Sequence, residues 1–272
     1  MELTRLADSA EQVARDAGNI LLRYFERIEQ IEYKGVGDIV TEADKASERF
    51  VRESLQRATP SIPVYGEEYG FDDDSTVDPF DACWIVDPLD GTANYAARVP
   101  LFSVSIGLLV EGRPVVGVIY DPTRDEVFRA ARGSGAYRNG RAIHVTDRDP
   151  LDPVAPIAVS GDVMRQRLGF LGRTYKGRSL GSAAMHLAYV ASGLFDAATD
   201  PYTKLWDVVA GAVIIEEAGG VVTRWNGVPR FPVDTNDGAY RGQSFDYLVS
   251  NGINHQTLVA LLCDDPPQPE RV

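Results

Sequence analysis

The chain has 272 residues, close to twice the ~150 of an average domain, so one large domain or two abutting ones are expected and a small module is excluded. With 44% hydrophobic and 25% charged residues it reads as an ordinary globular chain able to bury a sizeable core, not a disordered one. Against 27 Lys+Arg stand 40 Asp+Glu, a net charge of −13 that repels phosphate backbones and anionic lipid; no basic stripe offsets it, so neither nucleic acid nor a membrane is expected as partner.

The opening Met1-Glu2-Leu3-Thr4-Arg5 is unlike a signal peptide, and no run of about 18 apolar residues follows, which makes a cytoplasmic location the expectation. From Leu3 to Ile28 apolar residues recur at a 3.6-residue period (Leu6, Ala10, Val13, Ala17, Leu21 among them), predicting an amphipathic helix. Lys34 to Val40 reads as a glycine-containing turn. Thr41-Glu42-Ala43-Asp44 resembles a capping box and opens a second helix that runs to Pro60. Ile62 to Tyr65 and Cys83 to Val86 are short strands. From Leu101 to His144, Glu111-Gly112-Arg113, Asp121-Pro122-Thr123 and Asn139-Gly140 punctuate an antiparallel meander.

The acidic, proline-rich segment Asp147 to Pro156 places a boundary near residue 150. Residues 1–150 are then an α+β half with an antiparallel sheet and most of the acidic motifs, and 151–272 an α/β half that completes the site. In the second half the pattern gives strand Ile157 to Ser160, helix Val163 to Leu171, helix Ala183 to Ser192 and strand Phe195 to Thr199. Helix Val208 to Ala218, strands Val221 to Arg224 and Tyr247 to Ser250, helix His255 to Leu262 and a frayed tail Pro266 to Val272 follow.

Cys83 and Cys263 lie in apolar stretches and are read as buried thiols; His144, His186 and His255 have no zinc-site spacing, so the chemistry is expected to rest on carboxylates. The richest stretch is Trp84-Ile85-Val86-Asp87-Pro88-Leu89-Asp90-Gly91-Thr92. A strand delivers two carboxylates three residues apart, and the amides of Gly91 and Thr92 follow at the start of a short helix, a setting that favours phosphate. Acids beside an anion site attract only with a cation between them, and oxygen-only ligands specify a hard ion, Mg²⁺ first. Gly66-Glu67-Glu68 ends a strand and Trp206-Asp207 opens a helix, each adding an acid to the same rim if the fold brings them together.

Gly66-Glu67-Glu68, Trp84 to Tyr95, Leu180-Gly181-Ser182-Ala183-Ala184, and Trp206-Asp207-Val208-Val209-Ala210-Gly211 with Glu217-Ala218-Gly219-Gly220 resemble, in order and spacing, the signatures of the inositol monophosphatase family of Mg²⁺-dependent, Li⁺-sensitive phosphatases. The resemblance implies a layered α/β/α/β/α sandwich of the sugar phosphatase type, a homodimer, and hydrolysis of a small phosphate monoester by metal-activated water. Carried over, it places one Mg²⁺ on Glu67, Asp87 and the carbonyl of Leu89, a second on Asp87, Asp90 and Asp207, and a weaker third on Glu67. It assigns the attacking water to Asp44 and Thr92, and the substrate to Asp90, Gly91, Thr92, Ala184 and Asp200.

Asp44 has a second reading as a helix cap, and Asp207 as an acid beside a helix dipole. Glu68 reads as a solvated or supporting acid, Asp72, Asp73 and Asp74 as a solvated charge run, and Gly133-Ser134-Gly135 as a turn. Lys34 and Lys204, two of only four lysines, stand near the motifs. Asp200 replaces the glutamate of inositol-specific members, so fructose 1,6-bisphosphate, histidinol phosphate and nucleotide 3′-phosphates stay open as substrates, as does a non-catalytic regulatory or binding protein of the same fold.

Overall fold

The structure, a computed structural model, describes residues 3–25, 31–35, 38–71, 81–174, 176–234 and 238–264, with the backbone alone at 31–35 and 38–40. Helix α1 (Leu3–Phe25) buries Leu6, Ala10, Val13, Ala14, Ala17 and Leu21, the stripe its period predicts. A hairpin, β1 (Ile31–Gly35) and β2 (Asp38–Thr41), occupies the segment read as a simple turn, and Thr41 then caps α2 (Glu42–Ala58). The Lys34 side chain, the Asp72 to Asp74 run and the tail from Pro266 lie outside the described residues.

Seven strands in sequential order form the first sheet: β3 (Val64–Gly66), β4 (Ala82–Asp90), β5 (Ser103–Val110), β6 (Arg113–Asp121), β7 (Glu126–Ala131), β8 (Ala136–Arg138) and β9 (Arg141–Ile143). All neighbours are antiparallel except β3 and β4, so the meander is as expected. Its Glu111-Gly112 and Asn139-Gly140 turns are left-handed at both residues (φ 49° and 68°, 47° and 73°), as two-residue hairpins demand. A five-residue helix, α3 (Thr92–Ala96), follows β4.

The second sheet, ordered β11-β10-β12-β14-β13, joins β10 (Pro156–Val159), β11 (Lys176–Arg178), β12 (Ala197–Thr203), β13 (Val221–Thr223) and β14 (Phe245–Ser250). Between β10 and β11 two short helices, α4 (Gly161–Gln166) and α5 (Leu168–Arg173), replace the single helix expected there. Helices α6 (Ala183–Ala191) and α7 (Leu205–Glu217) lie between the two sheets, and α8 (His255–Asp264) closes the far side with α5.

Three apolar cores define the layers: α1 and α2 on one face of the seven-stranded sheet, α6 and α7 between the sheets, and α4, α5 and α8 outside the second sheet. This is the expected five-layer α/β/α/β/α sandwich. Helix α7 buries every residue from Val208 to Ile215, because it has a sheet on each side rather than water on one. It comes close to the first sheet over Gly107 and Gly117, which pair across β5 and β6; a Cβ on Gly117 would fall 2.2 Å from the Ala210 carbonyl oxygen. Cys83 is buried as expected, but Cys263 is exposed, because only one face of the outermost helix meets the core.

Candidate active site

Asp87 and Asp90 sit three positions apart on β4, a spacing that in a regular strand would send them to opposite faces. The ladder with β5 is irregular between them, across Pro88 and Leu89, and the two carboxylates meet on one side. Asp207 joins them from the first turn of α7, and ligand-type oxygens of the three acids lie within 4.8 Å of one another. The start of α7 is fixed by Asp207 accepting from the Lys204 amide (2.8 Å), by Ser105 Oγ donating to the Trp206 carbonyl (3.3 Å), and by Lys204 Nζ donating to the Gly242 carbonyl (2.7 Å). Lys204 thus anchors a loop, and the dipole role considered for Asp207 is present together with its place among the acids.

Burial pushes all three acids up. Asp87 lies well above the carboxylate range through burial and then repulsion from Glu67, Asp90 and Asp207; Asp207 reaches about 7 through burial and then Asp90. Asp90 is raised by burial although four donors oppose it: Ser182 Oγ in a short contact, the amides of Ala183 and Ala184 (3.0 Å each) and Ser103 Oγ (3.3 Å). Among the described residues none of the three forms an ion pair, and carboxyls crowded this closely favour holding a proton when no cation neutralises them. This donor set fits a hard divalent ion, whose charge would replace that proton.

Glu67 lies on the turn after β3, where its amide donates to the Val86 carbonyl (3.2 Å); its charge reaches Asp87, although it stands outside the three-acid group. The turn is held from beneath by Glu48, wholly buried on α2, which accepts from the amides of Glu68 (2.7 Å) and Tyr69 (3.2 Å) and from Arg52 Nε (3.0 Å). Glu48 and Arg52 were not singled out in the sequence, where an i,i+4 acid–base pair reads as a solvated helix face.

The second cluster is Asp44 and Thr92. Asp44 Oδ2 accepts from the Thr41 amide (2.8 Å) and hydroxyl (2.6 Å), which completes the capping box, while its Oδ1 lies 3.3 Å from Thr92 Oγ1. Capping and pairing with Thr92 therefore coexist, one on each oxygen. Burial raises Asp44 to about 6. The Thr92 hydroxyl also reaches the Leu89 carbonyl (2.9 Å), and Gly91, at φ 93°, turns the chain so that Thr92 opens α3.

Beside Asp207 a cavity of about 230 Å³ is lined by Ser160, Asp162, Ser179, His186, Asp200 and Tyr202 among others. Asp200 is pushed up to about 6, mainly by burial. Ala184, expected on the substrate wall, has its methyl wholly buried and gives its amide to Asp90. Asp162 and His186 were not singled out for this site; Ser182, the cap of α6, was legible as a Ser before an apolar helix.

With this geometry in place, similarity to known proteins decides the lineage. The chain matches the sequence profile of the Inositol monophosphatase family over residues 2–265. The chain belongs to the inositol monophosphatase family. It is 37% identical over 234 residues to Nus factor SuhB of Pseudomonas aeruginosa (82% of this chain, 86% of that one) and 39% identical over 231 residues to inositol monophosphatase 2 of Solanum lycopersicum (81% and 87%). Its fold superposes on the inositol monophosphatase of Anabaena with a TM-score of 0.80 at 36% identity, covering 98% of each chain. Membership of the inositol monophosphatase family supports phosphatase activity on a small phosphate substrate and metal dependence. No helix among the described residues is long and apolar enough to cross a membrane.

Proposed function

We propose that the chain is a Mg²⁺-dependent phosphomonoesterase acting on inositol 1-phosphate or a related sugar or polyol phosphate. The observation that carries this reading is the trio Asp87, Asp90 and Asp207, two buried and one half-buried, gathered with no countercharge among the described residues, beside the Asp44–Thr92 pair and a polar cavity. Glu67, Asp87 and the Leu89 carbonyl would hold one ion, Asp87, Asp90 and Asp207 a second, and Glu67 a weaker third. When bound, the ions supply Lewis acidity and offset the charge of the phosphoryl group. Thr92 and Asp44 orient a water and take its proton as its oxygen bonds to phosphorus and the bond to the ester oxygen breaks; the departing oxygen takes a proton from solvent and Asp44 returns its own to solvent, yielding the alcohol and inorganic phosphate. Gly91 and Thr92 offer backbone amides to the phosphate, and Asp200 accepts from a substrate hydroxyl.

The test is a panel of phosphate esters, including fructose 1,6-bisphosphate, histidinol phosphate and a nucleotide 3′-phosphate, assayed with Mg²⁺, with a chelator, and with Ca²⁺ or Li⁺ added. Polyol monophosphates are expected to lead, Ca²⁺ and Li⁺ to inhibit, and full turnover after chelation would overturn the metal mechanism. The name Nus factor carried by the P. aeruginosa relative motivates a second reading, a regulatory or binding protein on this fold. Cation binding without turnover of any ester would favour it. We place the chain in the cytoplasm as a homodimer, which sedimentation and cell fractionation would check.

A further inference from the structure

Resting on the cation site of the proposed phosphatase, a further step concerns what holds that site in shape. Between Asp87 and Asp90 the ladder with β5 breaks: Asp87 stands opposite Ser105 and Asp90 opposite Ser103, and the register shifts across Pro88 and Leu89. Pro88 has no N–H to give, so the backbone groups of this short stretch need partners from outside the ladder. The stretch nevertheless carries the Leu89 carbonyl and follows directly on Asp87, two of the ligands assigned to one ion.

The outside partner comes from α2. Ser47 is wholly buried, and its Oγ donates to the Pro88 carbonyl (3.0 Å). A serine inside a helix commonly turns its hydroxyl back on a carbonyl of its own helix; this one reaches across to another element. On the other edge of the same peptide unit, the Leu89 amide donates to Asp87 Oδ1 (2.9 Å). One rigid plane is therefore held at both edges, its oxygen by Ser47 and its N–H by Asp87. Turning that plane would withdraw the amide from Asp87 and disturb Leu89, whose own carbonyl lies 2.9 Å from the Thr92 hydroxyl. Ser47 sits three residues beyond Asp44, whose Oδ1 is 3.3 Å from Thr92 Oγ1. Helix α2 thus grips the 87–92 turn at both ends, and the grip at Pro88 is separate from the pair assigned to the water.

We propose that Ser47 is a positioning residue for the cation site: by clamping the Pro88–Leu89 peptide it holds Asp87 and the Leu89 carbonyl in the fixed arrangement that a small divalent ion requires. Mg²⁺ demands near-octahedral ligands whereas Ca²⁺ accepts a looser set, so the clamp favours Mg²⁺ over Ca²⁺. Groups that orient ligands without touching the ion are worth about 10- to 100-fold in affinity, which makes a single hydroxyl measurable.

The experiment is calorimetric titration of the metal-free protein with Mg²⁺ and, separately, with Ca²⁺. Ser47→Ala removes one buried oxygen and adds no bulk; it should weaken Mg²⁺ by about tenfold and Ca²⁺ by less than about threefold. The control is Thr59→Val at the other end of α2. It removes a buried hydroxyl that donates to the Leu55 carbonyl (2.9 Å) and accepts from Trp84 Nε1 (2.9 Å), so it should lower Tm in chelator without moving the ratio of the two affinities. Unchanged Mg²⁺ affinity in Ser47→Ala, equal weakening of both ions, or the same change of ratio in Thr59→Val would each overturn the inference while leaving the phosphatase reading intact. If the wild type binds neither ion, both fall. If the affinities follow the expected pattern and no ester is hydrolysed, the clamp stands and the phosphatase reading falls.

Discussion

A lone carboxylate and a trio of them flank the turn that carries Glu67, and the fold treats the two sides in opposite ways. Glu48, on the α2 side, receives Arg52 and two backbone amides, so its charge is met within the protein. Asp87, Asp90 and Asp207, on the sheet side, receive hydrogen bonds but, among the described residues, no cation, and they raise one another. A folded chain seldom leaves buried charge uncompensated, so the contrast marks where something external is to bind and where the protein is only holding itself together.

The sharpest way to break this contrast is Asp87→Asn. It removes the charge assigned to both ions, so turnover should fall by at least about 10³-fold and the Mg²⁺-induced rise in Tm should vanish. The metal-free variant should nevertheless melt higher than metal-free wild type, because one repelling acid is gone. Calorimetry with Mg²⁺ and with chelator reads both, and a variant that melts lower in chelator would make Asp87 a purely structural acid. Next in size, Thr92→Ala or Asp44→Asn should lower kcat by about 10²- to 10⁴-fold while the Mg²⁺-induced Tm shift survives. Loss of Tm with kcat intact would reduce Asp44 to its capping role.

On the compensated side, Arg52→Met strands Glu48 and should cost about 3 kcal/mol of stability, equally with and without Mg²⁺, the opposite pattern to Asp87→Asn. Urea unfolding at two Mg²⁺ concentrations measures it; dependence on Mg²⁺ would tie the pair to the ion site. The smallest effect is a slope. In metal-free protein Asp207 keeps its proton to about pH 7, against 3.8 for an ordinary aspartate, so between those values the folded chain binds more protons than the unfolded one. Stability then rises as pH falls, by up to about 1.4 kcal/mol per unit from this one group. His186, pushed down from 6.5 to about 4, acts with the opposite sign below 6.5, so melts from about pH 8 to 6.5 isolate the acids. With saturating Mg²⁺ the slope should reverse, since protons then compete with the cation. A slope of the same sign in both conditions would separate these acids from metal binding.

Much of this was legible in the chain. The period of α1, the capping box at Thr41, the turn pairs of the meander and the Asp-Pro-Leu-Asp and Trp-Asp motifs each carry their own local signal. What escaped depends on tertiary context. The β1–β2 hairpin was hidden because its glycines read as punctuation, and β11 because Lys176-Gly177-Arg178 has no apolar alternation. Glu48 and Arg52 are buried only once the 67–70 turn folds over them, and Asp162 faces a cavity that exists only when α4, β12 and α7 are assembled. Sequence spacing placed Asp44 between two readings, and the structure shows one carboxylate serving both geometries through different oxygens.

The paired glycines under α7 give the central helix its seat, and Asp207 rides at the end of that helix. The position of one acid in the trio is therefore gauged by two missing methyl groups on strands that carry no ligand at that level. Adding either methyl would act like a shim under a lever: the helix must lift, and its tip must move relative to Asp87 and Asp90. A screen for chains with altered cation affinity should accordingly return substitutions at Gly107 and Gly117, positions with no polar chemistry of their own.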